Sequence, residues 1–206
     1  MPAAPRSKSL LAWEPTPYLL VLVLLILTGI VRPNSPAWLF WPFLVALIAS
    51  LAWLLVVIVR AGRTRTNPDQ WGNLATLDGL DVVDAPGRER EVRTVVPVTD
   101  VHRHQAAIDL AHIHGGADQH AVLVPRASRW LSKRYRVGVQ LVDGDRPRHA
   151  GFLSDAAAEP WFDRLDALRL RGAFVRVPAR ITGESRPFAV DLDASGLADA
   201  LALAND

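Results

Sequence analysis

The sequence predicts an α+β protein: an N-terminal transmembrane helical hairpin, then a small β-rich soluble domain with one main helix. Three observations carry this. Ala37–Val59 runs for 23 residues without a charged side chain. From Val92 onward, short runs alternate apolar and polar residues, the period of a strand with one buried face. Within that region, Ser154–Gly172 carries the cap, stripe and stop of a helix.

Residues 1–9 read as a short polar tail, and residues 10–59 as the hairpin, with spans over about 10–31 and 37–59. An apolar helix needs about 20 residues to cross ~30 Å of hydrocarbon, and a helix satisfies its own backbone groups in lipid. The second run meets that length alone. The first, Tyr18–Val31, meets it only with Leu10–Pro17, a segment that holds Glu14. RPNSP (32–36) supplies the turn between them.

Charge sets the expected topology. The chain carries 23 Lys/Arg and 21 Asp/Glu, a net +2. Arg6 and Lys8 precede the first span, Arg60, Arg63 and Arg65 follow the second, and the turn holds only Arg32. Positive flanks stay on the cytoplasmic side, so a two-pass plasma-membrane protein with both termini in the cytoplasm is expected. Trp13, Tyr18, Trp38 and Trp41 fall near span ends, where amphipathic rings prefer the interface. The rival is a cleaved signal peptide with Arg6 and Lys8 as its basic region. No small-residue cleavage pattern follows Val31, and a full second span does. The basic excess belongs to these flanks, because the chain beyond residue 65 holds more acids than bases. The absence of cysteine excludes disulfides and thiolate chemistry. The excess of Arg over Lys fits the codon bias of a GC-rich bacterial genome.

Residues 60–91 read as a juxtamembrane linker, with NPDQWGN and APGRER as turn signals. The soluble domain spans 92–206. Its expected strands are VRTVVPV (92–98), AIDLAHIH (107–114), AVLV (121–124), YRVGVQLV (135–142), HAGFL (149–153), FVRVPARIT (174–182) and FAVDLD (188–193). Ser154 or Asp155 caps the helix. Trp161, Leu165 and Leu168 form its apolar stripe, Gly172 ends it, and Pro160 breaks it or marks where it begins. LADALALA (197–204) reads as a terminal helix. Six or seven strands with one main helix suggest a small α+β domain or a partly open barrel.

Few patterns carry chemistry. His102, His104, His112, His114 and His120 cluster, and on a strand each His-x-His pair shares a face. No metal-hydrolase spacing accompanies them, so no metal is expected. Phosphate loops, dinucleotide fingerprints and nucleophile elbows are absent. No catalytic residue and no cofactor is assigned, and the chain is expected not to be an enzyme. Arg126–Arg148 is the stronger segment. Arg126, Arg129, Lys133, Arg134, Arg136, Arg146 and Arg148 stand against Asp143 and Asp145, with Trp130 and Tyr135 interleaved. Cations for phosphates beside aromatic faces for bases suit a single-strand binder. The same cations suit anionic lipid, or a solvated loop beside an acidic neighbour.

Two elements resemble the HIRAN domain. Gly115-Gly-Ala-Asp-Gln-His-Ala-Val-Leu-Val124 is similar to that family's Asn-Pro-Tyr-Asp-x-Asn-Ala-Val-x-Val segment, through Asp118, Ala121, Val122 and Val124. His149-Ala-Gly-Phe-Leu-Ser154, leading into a helix, is similar to its Val-Gly-Tyr-Leu strand, through Gly151, Phe152 and Leu153. Gly115, Gly116 and His120 depart from the pattern, and residues 126–147 are an insertion. Over roughly 92–182 the resemblance implies a compact, OB-like module. Some family members bind single-stranded DNA ends. Carried over by position, that role would fall to Asp118, His120, Phe152 and the Arg/aromatic segment Arg126, Arg129, Trp130, Lys133, Arg134 and Tyr135. The expected function is thus a membrane-anchored cytoplasmic binding module for a protein, an anionic lipid or single-stranded nucleic acid. The alternative is a structural subunit packed against another membrane protein through small residues such as Gly29, Ala46 and Ala49.

Overall fold

The computed structural model describes residues 7–10, 13, 15–32, 34–63, 72–87, 95–129, 132–143 and 146–204. The chain divides into two units, one of Ser7–Arg65 with Trp130–Lys133, the other built from residues 66–129 and 134–206.

The first unit holds two helices, α1 (Thr16–Leu27) and α2 (Ala37–Arg63), which pack against each other. Within α2, Ala37–Val59 is long and apolar enough to cross a membrane. Pro42 lies inside the helix, near its start. The Ser50 hydroxyl donates to the Leu47 carbonyl at 2.8 Å, so its polar group is satisfied within the helix. The expected first span is corrected. α1 has 12 residues, about 18 Å of helix, well short of ~30 Å of hydrocarbon. Pro15 and Pro17 sit at its start, and the chain leaves the helix for turns at Thr28–Ile30. One candidate span is therefore present among the described residues, in place of two.

The second unit is α+β, with seven strands in one sheet: β1 (Asp81–Asp84), β2 (Val95–Pro97), β3 (Asp118–Ala127), β4 (Arg136–Asp143), β5 (Arg146–Phe152), β6 (Ala173–Thr182) and β7 (Ala189–Asp193). The order is β2-β7-β6-β3-β4-β5, with β1 parallel to β6 and every other pair antiparallel. β6 has β3 on one edge and, on the other, β1 along Ala173–Arg176 and β7 along Ala179–Thr182. Pro178 falls in the gap between those partners. Arg176 directs its carbonyl to that edge, accepting from Ala85 N–H at 2.8 Å. Two residues on, Pro178 faces the same edge, where no partner strand asks for the N–H it lacks.

The sheet is not closed by a ladder. Its ends meet at one bridge, where Thr99 N–H donates to the Phe152 carbonyl at 2.8 Å and Phe152 N–H donates back at 3.0 Å. Gly151 makes this approach feasible. Its φ is 152°, and a Cβ there would stand 2.2 Å from the Thr99 carbonyl oxygen.

Helices α3 (Gln105–Gly115), α4 (Asp155–Ala158), α5 (Phe162–Leu170) and α6 (Leu197–Leu203) complete the unit. Ile108, Leu123, Val139, Leu141, Leu165, Leu168, Val175 and Leu201 are fully buried in the main core. Leu74, Val122, Val124 and Phe174 form a second, smaller core, against which Leu77, Leu80 and Val82 pack. The stretch read as linker therefore contributes β1 and part of this cover. Residues 107–114, read as a strand, lie in α3 instead. Ile108 and Ala111, three apart, are its buried residues, while Leu110 and Ile113 are exposed. The helix after Ser154 forms as two pieces. The Ser154 side chain accepts from Ala157 N–H and starts α4, Pro160 falls in the break, and α5 carries Leu165 and Leu168 inward.

Candidate functional site

Departures from ordinary local chemistry gather at one corner of the second unit. There the end of β3, the start of β4, the end of β5 and the chain after β2 converge. The two non-glycine residues with positive φ among those described, Asp100 (65°) and Arg126 (62°), both lie there. Such backbone is sparsely populated and marks positions that the surroundings must hold. Arg126 sits at the irregularity between Val124 and Ala127 that ends β3's regular pairing, and this turn carries the chain to Arg129.

Asp100 is the hub. Its Oδ2 accepts from Arg136 Nη1 at 2.7 Å and from Arg129 Nη1 at 3.3 Å. Arg136 also donates to the Thr99 hydroxyl at 3.1 Å and the Leu153 carbonyl at 3.5 Å, and its guanidinium lies 4.8 Å from the centre of the Phe152 ring. The other donors of Arg129 have no partner among the described residues. Burial pushes the Asp100 carboxyl up. The hydrogen bond from Arg136 and the charges of Arg129, Arg136 and Arg103 outweigh that and hold it below the ordinary carboxylate value.

Two imidazoles complete the corner. His104 and His149 meet edge to face, with centroids 4.4 Å apart, and His149 meets Phe152 the same way at 4.8 Å. The His149 Nδ1 is buried with no hydrogen-bond partner among the described residues. Burial, then the like charge of His104, pushes His149 down to about 3, against the opposing pull of Asp100. Burial also lowers His104. His149 is thus neutral at pH 7.

This predicts an acid response with a definite sign. The unfolded chain protonates His149 near pH 6.5 and the folded one only near 3. Between those values the unfolded state binds more protons, so stability falls as pH falls, by up to ~1.4 kcal/mol per unit from this group. Asp100 adds to the loss only below its unfolded value of 3.8, as pH drops through its lower folded value. Urea midpoints measured from pH 7 to pH 4 should therefore fall, and His149→Phe should flatten the fall. An unchanged slope in that variant would remove His149 as its source.

The expected site residues separate into groups. Arg129 and Phe152 belong to the corner. Arg126 lies there too, but is bidentate to Asp166 at 2.7–3.0 Å and stands over the Tyr135 ring at 5.5 Å. Tyr135 packs, half-buried, against the main core, and Arg134 is exposed. Lys133 belongs to the first unit, with its ammonium 5.0 Å from the centre of the Trp13 ring. Trp130 lies outside the described residues. Asp118 and His120 stand at the opposite end of β3. Asp118 forms an exposed cross-strand pair with Arg180 at 2.7 Å, and both residues line a groove of about 650 Å³ with Pro178, Thr182 and Asp191. His120 pairs with Val142 and Phe152 with Gly138, four residues or ~14 Å apart along β4, so the structure does not bring the two HIRAN-like elements' residues into one site. No group of three metal-ligating side chains occurs among the described residues, and His112 and His114 lie on helix α3, where i and i+2 do not share a face.

Asp100, His104 and His149 were not expected together. Their histidines and acid are visible in the sequence, but 45 residues of chain separate the two imidazoles that touch. No protein-family model, no curated protein and no solved structure matches the chain.

Proposed function

We propose that this chain is a membrane-anchored, non-enzymatic binding module. Ala37–Val59 anchors it in the plasma membrane, and the α+β unit lies on the cytoplasmic side. The Asp100 corner is the recognition face, for an anionic group. One observation supports this reading above the rest: the apolar helix turns its side chains outward. Trp38, Val45, Ile48 and Leu55 are 76, 62, 58 and 62% exposed. The central helix of a soluble protein would bury them, whereas lipid covers such a surface at no cost. Arg60, Arg63 and Arg65 follow the span and favour the cytoplasm for what comes after. α1 is too short for a second full crossing, so the anchor rests on α2.

The HIRAN-like reading is kept as part of this proposal. Supporting it are the long strand β3 through Asp118–Val124 and the strand β5 through Gly151, which leads into α4 and α5. A structural subunit of a membrane complex is the second reading. It is favoured by the ion pairs that occupy Arg126, Arg136, Arg176, Arg180 and Arg186 within the fold. Alkaline carbonate extraction of membranes from expressing cells tests the anchor. The full chain should stay in the pellet, and a chain lacking 37–59 should appear in the supernatant. Release of the full chain would end the reading.

A further inference from the structure

We propose that the Asp100 corner binds the phosphate of an anionic lipid headgroup, with Arg129 and Arg103 as its contacts and Asp100 and Arg136 as positioning residues. This rests on the membrane-anchored reading above and names the ligand of its recognition face.

The charge arrangement points to an anion. Arg136 alone neutralises Asp100, with a 2.7 Å hydrogen bond. A second guanidinium, Arg129, leans on the same oxygen at 3.3 Å, and Arg103 stands on the same turn as Asp100, its backbone N–H donating to the Asp100 carbonyl at 3.1 Å. The remaining carboxylate, Asp155, stands 3.8 Å from Arg136 Nε with its side chain 76% exposed. Two guanidinia therefore reach Asp100, and the side chain of Arg103 leaves the same turn. Like charges so gathered repel unless a further anion sits among them. Arg136 is committed to Asp100, Thr99 and Leu153. Among the described residues, Arg129 keeps unpartnered donors, and the Arg103 side chain makes only a 3.4 Å contact from its Nε to His102. Planar guanidinium forks suit phosphate oxygens in particular. Arg136 fixes Asp100, and Asp100 fixes one end of Arg129, so the fork is oriented before a ligand arrives.

Among the described residues, the rings at the corner favour lipid over single-stranded nucleic acid. Base stacking needs an open aromatic face. Phe152 is 2% exposed and lies under Arg136, and the Tyr135 ring lies under Arg126. A span in the same chain also keeps headgroups at high effective concentration for the domain.

The test titrates the full chain in neutral phosphatidylcholine nanodiscs, or in solution if it does not insert, with monomeric dihexanoyl phosphatidic acid, followed by calorimetry. Dihexanoyl phosphatidylcholine, inorganic phosphate and oligo(dT) serve as parallel probes. The expected result is saturable binding of dihexanoyl phosphatidic acid, weakened at least about tenfold by Arg129→Gln and by Arg103→Gln, with melting temperatures unchanged. No saturable binding, or equal binding by both variants, overturns the proposal. Inorganic phosphate binding as tightly overturns the lipid assignment, and oligo(dT) binding that is lost in the same variants while the lipid does not bind assigns the corner to nucleic acid. Carbonate extraction reports on the anchor separately. A chain that stays embedded but ignores the lipid fails here alone, and a chain that is released but binds it fails the anchor alone.

Discussion

Gly151→Ala should destabilise the α+β unit by about 3 kcal/mol or more, a fall of roughly 10 °C in Tm. Two costs add. The backbone at φ 152° is one that side chains rarely adopt, and a Cβ would meet the Thr99 carbonyl oxygen at 2.2 Å and Val98 Cγ1 at 2.8 Å. The carbonyl belongs to the bridge that joins the two ends of the sheet, so the atom in the way cannot rotate aside like a flexible side chain. Either the bridge opens or β5 shifts, and β5 carries Phe152 and the neighbouring His149. Gly172→Ala is the control. Its φ is 80°, but a Cβ there meets nothing within 4 Å, so only backbone strain of about 1 kcal/mol remains. Thermal unfolding of the full chain in detergent compares them. Equal melting of Gly151→Ala and the parent would mean the bridge is not part of the folded domain.

Asp166→Asn should cost about 3 kcal/mol. The side chain of Asp166 is 3% exposed, and it receives Arg126 from β3 and Arg169 from its own helix, at 2.7 and 2.9 Å. A carboxylate taken out of water is tolerable only when paired and hydrogen-bonded. Here both oxygens accept, Oδ1 from Arg126 and Arg169 and Oδ2 twice from Arg126. Neutralising it leaves two guanidinia, 30 and 21% exposed, without their counter-charge. Arg126→Met should cost less, because Arg169 still answers the carboxylate. Urea unfolding measures both. A loss under ~0.5 kcal/mol for Asp166→Asn would show that water already screens the pair.

Asp166 also shows what the sequence hides. The segment Arg126–Arg148 looks strongly basic, yet part of its charge is met by acids from elsewhere, Arg126 by Asp166 and Arg136 by Asp100. No local count of charge finds partners about 30 to 40 residues away. β4, β6 and β7 were legible because alternate residues enter the main core, Val137, Val139 and Leu141 in β4, Val175, Val177, Ala179 and Ile181 in β6, and Val190 and Leu192 in β7. The break at Pro160 and the Ser154 cap were legible because they are local chemistry. α3 was not. In Ile108, Leu110, Ala111 and Ile113, apolar residues recur at both two and three positions, and only burial chooses the helix, through Ile108 and Ala111. β1 is a four-residue strand whose partner lies about 90 residues on, a pairing no window contains. The first span failed because apolar composition was read as helix length. Of the candidate site, Arg129 and Phe152 were legible as residue types, while the Asp100 hub and the His104–His149 contact depend wholly on the fold.

The central claim is that Ala37–Val59 crosses the membrane and leaves the α+β unit inside, and the absence of cysteine allows a direct measurement. Ser35→Cys and Ser185→Cys, each the sole thiol in its chain, would be exposed to a membrane-impermeant maleimide on intact cells. The account predicts labelling at position 35 in intact cells and at position 185 only after permeabilisation. Labelling at position 185 in intact cells would contradict it.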